Sequence, residues 1–472
     1  MAVGMTKGTE ILLGDPKKAM ISMMIPVIVA LTFQSLNSVI NSVWVTGLGP
    51  SALAAVGIVF PLLIIIMSIG NGIGVGASQT VAMHIGMNDK KGADKAAAQA
   101  IVLTLIAGVA LAVVLGIFLR PVLTVMGGGN IIDDCYNYAL PLVIFAPIMM
   151  LSGLFSNLLR AEGAAKKSMA IQILTACINL VIDPFFIYKP FGFGFDMGIA
   201  GASTGMIVAM AIGLILAIFW FRSKDATYLT LSFKKFRFDP VIDKQIFTVG
   251  IPASLEMMTI SIIAIVMNNV LLWAGGDLGG DDAVAVYSSS WRIITILMIP
   301  LMATGSAMVP VCAAAYGAKR FDRVEEAYRF TMKLVIVIML ILSVFTALTA
   351  EYMVTIFTYT PETAHLRTPM THVLFAACVF LPFASWGATA SALFQSLTMG
   401  TKSLVCTLIR NIMQVPVCVI LFTMTGSLDS IWIGVAIGQI VGSVVAGVWG
   451  ESVLRYFVKN ADHYRIIEEP SK

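Results

Sequence analysis

Asp183 stands in "ACINLVIDPFFIY", residues 176–188, where every neighbour within four positions is apolar except Asn179, and Pro184 follows it. An ionisable residue in such a run is expensive and marks a functional site by default. Gln172, Asn179 and Asp183 are spaced by seven and four residues, which puts them on one face of a helix. A second stripe, Gln34, Asn37, Ser38 and Asn41, has similar spacing. Facing each other, the two stripes make a pocket lined by amides and one carboxylate. Such a carboxylate can take up a proton on one side of a barrier and lose it on the other. Ionised, and joined by amide oxygens from Asn179 or Asn41, it can instead hold Na⁺. A structural alternative is that Asp183 caps backbone groups freed by Pro184, which has no N–H for the Leu180 carbonyl.

Three more ionisable residues lie deep in apolar runs: Glu256, Arg292 and Arg410. Glu256 is about ten residues into its run and Arg292 about nine residues from the opposite end of the next. At about 1.5 Å per residue both fall near the middle of a core of about 30 Å. An ion pair between them would make both charges tolerable, with Arg410 a competing partner. That pair reads equally as a structural salt bridge or as part of a functional site.

These residues need helices to hold them. Of 472 residues, 58% are hydrophobic and 12% charged, and the mean hydropathy is +0.91. Soluble chains carry roughly twice that charge. The apolar residues fall into runs of about 20 or more, and lipid offers backbone groups no hydrogen bonds, so the runs must be helical. Twelve spans are expected, at about 20–46, 52–83, 97–119, 136–159, 168–188, 199–221, 246–275, 283–316, 330–350, 370–396, 403–424 and 430–457. The second and eighth are long enough to tilt, bend or project. The first residues lack the apolar core and cleavage site of a secretory leader, so the first run is expected to remain as a membrane helix. Asp183 then falls about 15 residues into the fifth span, roughly 20 Å from its start.

Twenty-five of the thirty Lys and Arg lie in or beside the termini and the connections after even-numbered spans. Arg120, Lys189 and Arg367 fall in the other set, and Arg292 and Arg410 inside spans. The positive-inside rule then places both termini in the cytoplasm of a cell (inner) membrane protein. Inner-loop charge accounts for the net +4, so no nucleic-acid partner is implied. The basic stretch "FKKFRF", residues 233–238, suits anionic membrane lipid.

The chain repeats itself. Ile25-Pro26 opens one run and Ile251-Pro252 another, and Gly74, Gly86 and Ala96 match Gly305, Gly317 and Ala327 at an offset of 231. The expected architecture is all-α and polytopic: two six-helix bundles related by a pseudo-two-fold along the membrane normal. The N-lobe would be 1–222, the cytoplasmic linker 223–245 and the C-lobe 246–472. Pro26 and Pro252 each remove a helical donor, and Pro26 is the candidate hinge.

The order of "NSVWVTGLGPSALAAVG", "GNGIGVGASQTVAMHIG", "LLRAEGAAKKSM", "NLVIDPFFI", "GIAGAS" and "GIPASLE" resembles the multidrug and toxic compound extrusion (MATE) family, prokaryotic branch with an N-lobe cation site. The resemblance spans about 15–457. It implies an antiporter, not an enzyme, that exports organic and often cationic compounds by alternating access on an inward flow of H⁺ or Na⁺. It implies coupling at Asp183, Asn179 and Asn41, and a polar lining of Gln34, Asn37, Asn157 and Gln172. The family usually carries aspartate where this chain has Asn41, leaving Asp183 as the lone acid of the N-lobe. Other members place a cation-site acid near Glu256, on the same face but one turn further along.

A lipid-linked precursor flippase of the same superfamily is the alternative; twelve spans and few deep arginines weigh against it. A prenyltransferase-like membrane enzyme is more remote. Its acid pairs, Asp133-Asp134 and Asp281-Asp282, fall outside the spans and lack a second DxxxD motif. "GNGIGVG", residues 70–76, lies within a span and reads as a close helix contact, not a nucleotide loop. Twenty-eight methionines suit a soft pocket, though they also fill gaps in any membrane bundle. No metal-ligand spacing or cofactor motif appears, and a monomer binding small organic substrates in membrane lipid is expected.

Overall fold

The computed structural model describes residues 5–127, 129–189, 194–223, 226–231, 236–275, 279–359, 361 and 363–460. Every long element among them is helical. In order these are α1 (Lys7–Leu13), α2 (Pro16–Thr46), α3 (Pro50–Gly86), α4 (Lys90–Val125), α5 (Ile132–Ile144), α6 (Ala146–Ala161), α7 (Ala165–Ile187) and α8 (Ile199–Arg222). There follow α9 (Pro240–Ala274), α10 (Gly280–Leu297), α11 (Ile299–Gly317), α12 (Phe321–Thr355), α13 (Arg367–Ser396), α14 (Gly400–Thr425) and α15 (Asp429–Lys459). Eleven are long and apolar enough to cross a membrane, α13 counted with the short turn before it, and α5 and α6 together make a twelfth, bent by 53°.

Two expected spans are thus broken. The fourth divides at Phe145 into α5 and α6, where Pro147 has no N–H for the Val143 carbonyl. The eighth divides at Met298 into α10 and α11, where Pro300 does the same to Ile296. The long second span, α3, is one unbroken helix across Pro61. The fourth span also reaches further than its apolar run: α6 continues to Ala161, so Arg160 belongs to the helix and is buried.

The chain forms two compact units, Met1–Met257 and Met258–Lys472. In the first, α2 packs on α7, α7 on α8, and α3 on α4 and α6. Its glycine-rich stretch is a close contact. A Cβ on Gly72 would lie 2.5 Å from the Gly250 carbonyl, and one on Gly76 would lie 2.2 Å from that of Ile246. Only glycine lets α3 and the start of α9 meet at this distance. In the second unit, α15 packs on α13 and α14, and α12 on α13.

Residues 226–231 are fastened within the first unit. Glu162, just past α6, accepts from the backbone N–H groups of Tyr228 (2.8 Å) and Leu229 (3.1 Å). Asp94 accepts from Thr230 N at 2.7 Å, and Lys167 donates to the Ala226 carbonyl. Lys95 pairs with Asp239 at 2.5 Å just before α9 begins. Burial pushes the Glu162 carboxyl up to about 7, against the two N–H donors and Lys167, which pull it down. Of "FKKFRF", residues 233–235 lie outside the described residues, and Arg237 and Phe238 are exposed.

Candidate cation site in the first unit

Asp183 and Asn179 face inward from α7, 1% and 2% exposed. One turn of helix separates them, so the Asn179 amide reaches its neighbour directly, Nδ2 donating to Asp183 Oδ1 at 2.5 Å. That bond fixes the amide's orientation, because a carboxylate oxygen demands the donor end. Asn179 Oδ1 must then point away from Asp183, toward α2. There it accepts from Asn37 Nδ2 at 2.8 Å and from Asn41 Nδ2 at 2.7 Å. The spacing of four residues on α2 brings both amides to one acceptor.

The cluster leaves oxygens over. Asn37 Oδ1 and Asn41 Oδ1 are buried and have no hydrogen-bond partner. Such acceptors cost free energy unless something fills them. Around one bridging amide the structure therefore gathers a carboxylate and two unfilled amide oxygens, all hard donors. Among the described residues Asp183 makes no hydrogen bond to a backbone group; its partner is Asn179. The proline-capping role is not what this geometry serves.

One contact and one neighbour within electrostatic reach were not readable from the sequence. On α8, Gly205 faces the acid, and a Cβ there would lie 2.3 Å from Asp183 Oδ1. On α5, the buried phenol of Tyr138 lies within electrostatic reach of the Asp183 charge. "GIAGASTG" gave no sign of the first, and Tyr138 sits in an ordinary apolar run.

The other expected residues are placed as follows. Gln172 bonds back to Ser168 Oγ at 3.2 Å and does not join the cluster. Gln34 is on α2 but exposed. Asn157 belongs to a separate group: it donates to the Gly153 carbonyl (3.0 Å) and to Asn71 Oδ1 (3.4 Å), and accepts from Arg160 Nη2 (2.8 Å). Pro26 is buried inside α2, more than two turns before Asn37. Glu256 is half-buried and belongs to the first unit, whereas Arg292, exposed on α10, and Arg410, half-buried on α14, belong to the second.

The chain is similar to known proteins. The MatE family model matches residues 26–185 and 252–420, once in each half. The chain is 26% identical to a probable multidrug resistance protein, YoeA, of Bacillus subtilis (strain 168), over 66% of this chain and 67% of that one. It is 22% identical to the multidrug export protein MepA of Staphylococcus aureus (strain MSSA476), over 88% and 89% of the two. Among solved structures, a MATE protein in complex with MaL6 superposes with a TM-score of 0.91 at 33% identity, covering 96% of this chain and all (100%) of the other.

Proposed function

Because the chain belongs to the MatE family, we propose that it is an antiporter that exports small organic molecules, often cationic, in exchange for H⁺ or Na⁺. The reading is supported by the names of its relatives, a multidrug resistance protein and a multidrug export protein, and by helices long enough to cross a membrane. The observation that carries cation coupling is the cluster of Asp183, Asn179, Asn37 and Asn41, with two amide oxygens unfilled. A cation entering there would satisfy those oxygens and the carboxylate together. The two unfilled oxygens favour Na⁺ in particular, since a proton on Asp183 would leave them as they are.

The cycle follows from linkage. Cation and drug each disfavour the other's binding by the same factor, so the inward run of one drives the other out. Binding at Asp183 would draw α2 and α7 together, with Pro26 absorbing the change in α2. The protein would act as a monomer in a cell membrane with both termini inside. Asp183→Asn should abolish gradient-driven efflux from proteoliposomes while leaving the thermal unfolding midpoint within a few degrees of wild type. Applying Na⁺ and pH gradients separately identifies the ion. Undiminished export by Asp183→Asn under both gradients would remove the proposal.

A further inference from the structure

Arg160 occupies the last turn of α6 and is 9% exposed. A guanidinium has five N–H donors. Among the described residues this one makes a single hydrogen bond, from Nη2 to Asn157 Oδ1 at 2.8 Å, and no ion pair. The nearest acid in sequence, Glu162, is occupied by the Tyr228 and Leu229 N–H groups. Asn157 continues the chain to Asn71 Oδ1 at 3.4 Å, and Asn71 is partly exposed and donates to Met257 Sδ at 3.0 Å. A polar rung thus runs from a half-open amide to a buried cation. Gly74 makes room for it, since a Cβ there would lie 2.5 Å from Asn157 Nδ2.

The rung is short of negative charge. The C-terminal end of α6 supplies the equivalent of roughly half an elementary charge, which offsets only part of a full cation. Arginine suits planar oxyanions, which it binds through two parallel N–H bonds. We propose that Arg160, Asn157 and Asn71 form a subsite for an oxyanion on an amphiphilic ligand, either the carboxylate of a zwitterionic substrate or the head group of an anionic lipid. The inference rests on the transport reading and adds to it a place for the anionic end of the substrate.

Rhodamine 110 and rhodamine 123 test this directly, because the second is the methyl ester of the first and differs only in lacking the carboxylate. Binding of each to the full-length protein in phosphatidylcholine nanodiscs is read by fluorescence anisotropy, without any gradient. Wild type should prefer the acid, and Arg160→Gln should lower the acid-to-ester affinity ratio about tenfold. Asn157→Asp places a carboxylate beside Arg160 and should lower the ratio similarly without lowering the unfolding midpoint. Phosphatidylglycerol in the nanodiscs separates the two sources. If it weakens acid binding to wild type but not to Arg160→Gln, the head group is an occupant; if it has no effect, the site serves the substrate's own carboxylate. No preference for the acid in wild type, or an unchanged ratio in a folded Asn157→Asp protein, would overturn the proposal. Gradient-driven efflux of rhodamine 123 by wild type tests the transport reading separately.

Discussion

At the scale of single residues, the site depends on one amide used at both ends. Asn179 can serve Asp183 with its nitrogen only because its oxygen has donors on α2, and Asn41 supplies one of them. Aspartate, the family's usual residue at this position, could not donate when ionised. Asn41 therefore does more than withhold a charge; it orients the bridge. The approach of α8 is equally particular. Gly205→Ala would put a methyl 2.3 Å from Asp183 Oδ1, so the carboxylate or the helix must shift. Overpacking of this kind costs about 1–3 kcal/mol. Coupled efflux should fall at least severalfold and the unfolding midpoint should drop. Gly57→Ala, whose Cβ meets nothing within 4 Å, is the control and should change neither. Equal behaviour of the two variants in efflux and melting would mean that the Gly205 contact is unimportant. The stripes on α2 and α7 were legible because helical spacing alone defines them. Gly205 was not, because a contact between helices leaves no periodic trace in either. Gln34 and Gln172 show the converse: both have the right spacing, yet one is exposed and the other bonds within its own helix.

At the scale of elements, prolines and buried charges set what the apolar runs could not. Hydropathy gives a span's existence and rough length, but α5–α6 and α10–α11 break where proline removes a donor. The apolar run of the fourth span stops just before Arg160. The helix does not stop there, since α6 is held by packing on α3 as well as by its own composition. The segment from Ala226 to Leu231 is fastened by Glu162, Asp94 and Lys167, which a sequence shows only as scattered charges. Glu162 makes this fastening sensitive to pH. Its carboxyl rises from 4.5 to about 7 on folding, so the folded state holds the proton more tightly than the unfolded one. Stability from this group is present below about pH 4.5 and declines as pH rises toward 7. Glutamine keeps an oxygen for both N–H groups and cannot ionise. Glu162→Gln should therefore match wild type near pH 5 and exceed it at pH 8, by on the order of 1–3 kcal/mol. Thermal unfolding at the two pH values measures this. A variant weaker than wild type at pH 8 would show that the ionised carboxylate is what holds residues 226–231.

At the scale of the whole molecule, the repeat and the charge bias were readable because neither requires knowledge of packing. The MatE model matches each half separately, as expected of a duplicated chain. The boundary between compact units is subtler. It falls at Met257, within α9, because Gly72 and Gly76 bind the start of that helix to α3. The proposed orientation rests on charge. Lys and Arg cost about 2.5–3.5 kcal/mol each at the centre of a spanning helix, and cells retain positive loops on the cytoplasmic side. Twenty-five such residues lie in or beside the termini and one set of connections and three fall in the other set, which supports the proposed arrangement over the inverted one. Single cysteines at Lys166, between α6 and α7, and at Lys319, between α11 and α12, should be shielded from a membrane-impermeant maleimide in intact cells. Cysteines replacing Lys189, after α7, and Arg367, at the start of α13, should react at once. Lysis should equalise the four, in a background where the native cysteines are replaced by alanine or serine. Labelling of positions 166 and 319 from outside would invert the chain. It would also turn the cycle around, because Asp183, near the far end of α7 from Lys166, would then load its cation from the cytoplasm.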